Sequence, residues 1–98
     1  MDDTYTLTIW KVKPGQDDQF VARWKEWVTW SHAQGLVAKA RLLRDLENEG
    51  TFVSFGPWAD IDAVRRWRSA EGYHDRVARL YEVVESFEPR TLVLAAER

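Results

Sequence analysis

Residues 4–13 alternate, with Tyr5, Leu7 and Ile9 on one side and Thr6, Thr8, Trp10 and Val12 on the other. Period two in a run rich in β-branched and aromatic residues predicts a strand. Pro14-Gly15 ends it. From residue 16 to 33 the period changes: Phe20, Trp24, Trp27 and Ser31 fall on one line at steps of four, three and four. Val21, Val28 and Trp30 widen that stripe to about half the circumference of a helix. Gly35 suits the helix stop. Residues 36–45 and 51–56 predict a hairpin around an acidic turn at 46–50. Asp60 suits the N-cap of a short helix carrying Ile61, Val64 and Trp67, which Ser69-Ala70-Glu71-Gly72 breaks. Tyr73, Val77, Leu80, Val84 and Phe87 then repeat at four, three, four and three, predicting a helix that runs to Phe87. Pro89 follows, and residues 90–96 predict the last strand.

The order is β-α-β-β-α-β, with the second helix in two pieces. Right-handed crossovers turn that order into a ferredoxin-like α+β fold, a four-stranded antiparallel sheet with both helices on one face. Residues 1–98 are expected to form one domain. Neither face of the sheet reads as solvent, since strand one is apolar on one side and Trp10 and Val12 occupy the other. No remaining element covers the second face. A second copy of the chain is the simplest cover, so a homodimer is expected.

Composition narrows the function. At 45% apolar and 31% charged the chain is an ordinary globular sequence. A net charge of −2 argues against a protein that coats nucleic acid or anionic lipid. The absence of cysteine removes disulfides, thiolate metal sites and thiol nucleophiles, and fits a reducing cytoplasm. No apolar run approaches a membrane span and no leader is expected, so neither a membrane partner nor export is predicted. Six Trp, three Tyr and four Phe exceed what a core this small needs. They predict an aromatic-lined cavity, a large interface, or both.

Familiar catalytic motifs are missing. There is no glycine-rich phosphate loop, no nucleophile elbow and no zinc-binding helix. His32 and His74 are too far apart for a local metal site, and none is expected. Asp2-Asp3 and Asp17-Asp18 read as a solvated terminus and a helix first turn. Arg68 falls between Ile61 and Val64 on the helical wheel, and Arg76 between Val83 and Phe87. Both either snorkel at a helix edge or form a salt bridge to a neighbouring Glu, or else one reaches a cavity to hold an anionic or enolate oxygen. Trp67 and Tyr73 flank the helix break, where a slot for a flat ligand is expected; their N–H and O–H would be its polar contacts. Phe52-Val53-Ser54-Phe55 fits the end of an RNA-recognition signature. However, Asn48 and Glu49 replace the basic residue and glycine that open that signature, so no nucleic-acid partner is expected.

The chain resembles the antibiotic biosynthesis monooxygenase family of the dimeric α/β-barrel superfamily over residues 6–96. The resemblance rests on Val12-Lys13-Pro14-Gly15, Phe20 and Trp24, Leu42-Leu43-Arg44-Asp45, Phe52 through Trp58, Trp67, and Ser69-Ala70-Glu71-Gly72-Tyr73. It implies a homodimer whose sheets face each other, with a pocket in each subunit between sheet and helices. Quinone-forming relatives pair a Trp on the short helix with a Tyr six residues later, as Trp67 and Tyr73 do. Their Asn one turn before the Trp is Ala63 here, and Arg90 is only near their later arginine. Haem-degrading relatives ligate iron with a His where this chain has Val77, and their first-strand Asn falls on Thr8.

The resemblance thus implies a monooxygenase that needs no metal, flavin or haem. Its partners would be O2 and a small flat aromatic or quinol-like molecule. The implied catalytic set is Trp67 and Tyr73, which orient and hydrogen-bond, with His74 as proton acceptor. Thr8, Trp24, Arg68 and Arg76 would contact substrate. The alternatives are a non-catalytic dimeric ligand-binding domain and, further off, a haem-degrading oxygenase, an isomerase or a cyclase.

Overall fold

A computed structural model of the chain describes residues 3–98; Asp2, expected at a solvated terminus, lies outside them. The alternating first segment is β1 (Thr4–Val12). It is followed by α1 (Asp17–Ala33), β2 (Arg41–Arg44), β3 (Thr51–Trp58), α2 (Ile61–Ser69), α3 (Tyr73–Tyr81) and β4 (Val84–Val93). The sheet order is β2-β3-β1-β4 and every pairing is antiparallel. This is the ferredoxin-like α+β arrangement, with the helices on one face.

α1 buries the line read from its spacing: Phe20, Trp24, Trp27 and Ser31. α2 starts at the expected cap, where the Asp60 carboxylate accepts the Ala63 N–H at 2.8 Å. Gly72 separates α2 from α3 with φ at 93°, a left-handed conformation that only glycine adopts cheaply. The C-terminal carbonyls of α3 are closed by cations from elsewhere. Arg23 of α1 donates to the Arg79 carbonyl at 2.7 Å, and Lys13 donates to the Glu82 carbonyl at 3.0 Å.

Four element boundaries differ from the sequence pattern. The helix expected to reach Phe87 stops at Tyr81, and the last strand begins at Val84 instead of residue 90. β1 pairs with β4 along its whole length, from Val12 opposite Val84 to Thr4 opposite Val93. A strand starting at residue 90 would leave half of β1 without a partner on the edge away from β3, and that demand overrides the local heptad spacing of Val84 and Phe87. Pro89 sits inside β4 because β4 is an edge strand, where a missing N–H is tolerated. β3 likewise runs past Gly56-Pro57, because Pro57 lies beyond the Arg41–Phe55 pair, where β2 has left the sheet. β2 itself is shorter than expected. Leu36 makes only an isolated bridge to Trp58. The segment between them folds over Gly56: a Cβ there would meet Leu36 Cδ1 at 2.9 Å and the Ala40 Cβ at 3.2 Å.

The core lies between the helices and one face of the sheet, built from Trp10 and Val12 of β1, Phe52 and Trp58 of β3, and the apolar faces of the helices. The other face carries Tyr5, Leu7 and Ile9 beside Val53, Phe55 and Leu43, with Leu92 from β4. Leu43 and Leu92 are 51% and 42% exposed. Among the described residues, no helix or strand covers that face.

Candidate active-site cavity

The inner face of the sheet presents hydroxyls among its apolar side chains, and tryptophan accounts for two of them, Ser54 and Thr6. An indole N–H can only donate, so a buried one needs an acceptor. Trp10 donates to Ser54 Oγ at 2.9 Å and Trp58 to Thr6 Oγ1 at 2.9 Å. Trp67 donates to Ser31 Oγ at 3.0 Å, and Ser31 in turn donates to the Trp27 carbonyl at 2.8 Å. The Trp67 N–H, expected to meet a substrate oxyanion, is thus directed to Ser31 in this structure.

Around Trp67 the aromatics pack on one another. Its ring lies 5.2 Å from Tyr73 at 89°, 5.4 Å from Trp27 and 4.7 Å from Trp58. Trp27 also stacks on Trp30 at 5.4 Å. Much of the tryptophan excess is thus consumed in a wedge between α1 and the α2–α3 pair.

A cavity of about 320 Å³ remains between that wedge and β4. Thr6 and Thr8 of β1 form its floor, and Trp67, Arg68, Tyr73 and Val77 its helical wall. Tyr81, Phe87, Pro89 and Thr91 complete it. Tyr81 stacks on Phe87 at 4.6 Å and 13°, and both are well exposed, so the cavity opens to solvent at that stack. On the far side of Trp10, Trp27 and Trp67 a second space of about 40 Å³ lies against Trp24, Gly56 and Leu36. It has room for water-sized molecules and none for an aromatic ring.

The larger cavity therefore gathers Thr8, Trp67, Arg68 and Tyr73. Trp24 lines only the smaller space. Arg76 and His74 are outside both. Arg76 is exposed on α3 with its guanidinium 5.9 Å from the Trp30 ring, and the apolar arc read around it dissolves because Val83 and Phe87 lie beyond the helix. His74 is exposed and packs edge-on against Tyr73 at 5.5 Å. Arg90 touches the cavity, but its guanidinium is held by the Glu88 carboxylate and the Pro89 carbonyl, both at 3.3 Å.

The half-buried Arg68 spans the cavity from α2 to β4, donating to Thr91 Oγ1 at 2.8 Å. Burial pushes the Tyr73 phenol up from its ordinary value, and the Arg68 charge opposes that rise. Tyr73 is accordingly a neutral donor at physiological pH. Among the described residues, no group of three His, Asp or Glu converges as a metal would need.

Tyr81, Phe87 and Thr91 escaped the sequence reading. Phe87 and Thr91 alternate with period two, but the heptad spacing through Val84 concealed it.

A family model described as antibiotic biosynthesis monooxygenase matches residues 6–79. No curated protein matches the chain. Solved structures share the fold at low identity. A point mutant of SnoaB, a cofactor-independent oxygenase from Streptomyces nogalater, is 18% identical with a TM-score of 0.88, over 99% of this chain and 97% of that one. A conserved protein from Methanosarcina mazei Go1 is 14% identical, with a TM-score of 0.78 and coverage of 99% and 95%. A Pseudomonas aeruginosa protein is 16% identical, with a TM-score of 0.77 and coverage of 98% and 97%.

Proposed function

The chain belongs to the antibiotic biosynthesis monooxygenase family, and from that premise we propose a cofactor-independent monooxygenase acting on a small, flat, electron-rich aromatic. The observation that carries the reading is the cavity of about 320 Å³, near the lower end of small-ligand sites, where Thr8, Trp67, Arg68 and Tyr73 meet. The described activity of SnoaB is consistent with it through the shared fold alone. Among the described residues no helix is long and apolar enough to cross a membrane, and the lack of cysteine fits a cytoplasmic enzyme.

In this mechanism the substrate supplies the electrons. Its carbanion or phenolate passes one electron to O2, and the resulting radical and superoxide combine into a peroxide. Protonation and loss of water then leave a carbonyl. The protein contributes a water-poor apolar slot and fixed donors. Trp67 is a wall, locked in place by Ser31. Tyr73 donates its O–H to the developing oxyanion, and Thr8 lies within the same floor. A second copy of the chain, laid against the apolar outer face, completes the dimeric barrel.

Oxygen uptake tests the reading. With chelator present, anthrone-like and hydroquinone-like compounds should give protein-dependent uptake, and Tyr73→Phe should lower it. Uptake that requires added haem, flavin or metal would overturn the cofactor-free chemistry. A silent panel favours a dimeric ligand-binding domain instead, the reading that Ala63 and the engaged Trp67 N–H support.

A further inference from the structure

The cavity is one-sided in its ionisable groups. α2 contributes Arg68 and α3 contributes Tyr73 and Tyr81; Arg90 of β4 touches the rim, but it stands opposite Leu7 on the outer face with its guanidinium on Glu88, and neither β1 nor α1 adds an acid or a base. Among the described residues, no Asp, Glu or His lines it. Among the described residues Arg23, Arg44, Arg65, Arg79 and Arg90 pair with carboxylates, whereas Arg41, Arg66, Arg68, Arg76 and Arg98 do not, and of these last five Arg68 alone lines the cavity. Arg68 has no carboxylate partner among the described residues, and its cavity bond goes to a neutral hydroxyl. A guanidinium bound to a hydroxyl in a partly dry cavity gains when an oxyanion takes the hydroxyl's place, because charge-assisted bonds are about twice as strong as neutral ones.

We infer that Arg68 is the specificity-determining residue of this cavity, which selects a planar aromatic monoanion by exchanging the Thr91 hydroxyl for the ligand's oxygen. The neutral Tyr73 phenol supplies a second donor. The Tyr81–Phe87 stack and Val77 supply flat apolar contact for the ring system. The inference rests on the cavity being the substrate site and adds a chemical class: a phenolate, enolate or aromatic carboxylate. It also means that the cavity stabilises an anion without a carboxylate or imidazole of its own to generate one.

The test is equilibrium binding under argon, where no turnover occurs, of two probes of the same shape. These are naphthalene-2-carboxylate and the neutral 2-naphthamide, each followed by calorimetry with the whole chain. The carboxylate should bind the wild type about tenfold more tightly than the amide or better. Arg68→Leu should bring the two within about twofold, by loss of carboxylate affinity alone. Thr91→Val removes the competing acceptor and should tighten the carboxylate while leaving the amide unchanged. A purely structural tie between α2 and β4 would not produce that gain.

Equal affinities in the wild type, or binding of neither probe, overturn the inference. So does a Thr91→Val protein with unaltered carboxylate affinity, and this variant keeps the test decisive even if Arg68→Leu fails to fold. Carboxylate selectivity with no oxygen uptake would leave the anion site standing and remove the oxygenase reading. Oxygen uptake without selectivity would do the reverse.

Discussion

Removing one oxygen atom at Ser31 should loosen the wedge that shapes the cavity. Ser31 is 3% exposed and its Oγ joins the Trp67 N–H to the Trp27 carbonyl. In Ser31→Ala the carbonyl keeps its place in the helix ladder, whereas the indole N–H is left buried without an acceptor. An unsatisfied buried donor costs about 1–3 kcal/mol. Alanine's better helix propensity returns roughly half a kcal/mol. The net loss of about 0.5–2.5 kcal/mol should lower the melting temperature by roughly 2–20 °C in a chain of this size. Thr29→Ala is the matched control, since Thr29 makes the same bond one turn back, to Lys25, but is exposed and holds no indole. It should be neutral or slightly stabilising.

Thermal and urea unfolding of the two variants, repeated in a Trp67→Phe background, isolates the indole bond. Ser31→Ala should cost little once Trp67 no longer carries an N–H. An equal cost in both backgrounds, or equal losses at Ser31 and Thr29, would refute the view that this hydroxyl fixes Trp67.

Two further outcomes follow from the structure. Because burial raises the Tyr73 phenol above its ordinary value of 10.0, the folded state holds that proton more tightly than the unfolded chain. Its contribution to stability is full below pH 10 and is lost as pH rises through the folded value, so Tyr73→Phe should flatten the alkaline decline of the melting temperature; an unchanged decline contradicts the assignment. The uncovered apolar face predicts light scattering at about twice 11.5 kDa, reduced to the single-chain mass by Leu92→Asp together with Leu43→Asp; a wild type that scatters as 11.5 kDa refutes the dimer.

Periodicity along the chain was enough for the element order, the buried line of α1, the Asp60 cap and the break at Gly72. Each depends on residues within about one or two helical turns or a few strand positions. Trp67 and Tyr73 were legible for the same reason: both flank a local helix break. Local pattern failed where the chain had to satisfy a distant partner. Val84 and Phe87 carry helical spacing, yet β1 needs a strand beside all of its length, and the ladder's hydrogen bonds outweigh a preference shared by a few side chains.

The site divides in the same way. Nothing near Ser31, Ser54 or Thr6 in sequence announces that each serves an indole, because the three donors lie 36, 44 and 52 residues away. Nor does the sequence separate Arg68 from Arg76, since both occupy apolar arcs on a helical wheel. Only packing decides it. α2 turns Arg68 toward Thr91 of β4, while α3 turns Arg76 outward over Trp30. The amino-acid order thus determined which elements form and which carry aromatic and cationic side chains. The tertiary structure decided which of those side chains meet, because burial leaves each N–H and each charge only the partners that a folded neighbour can offer.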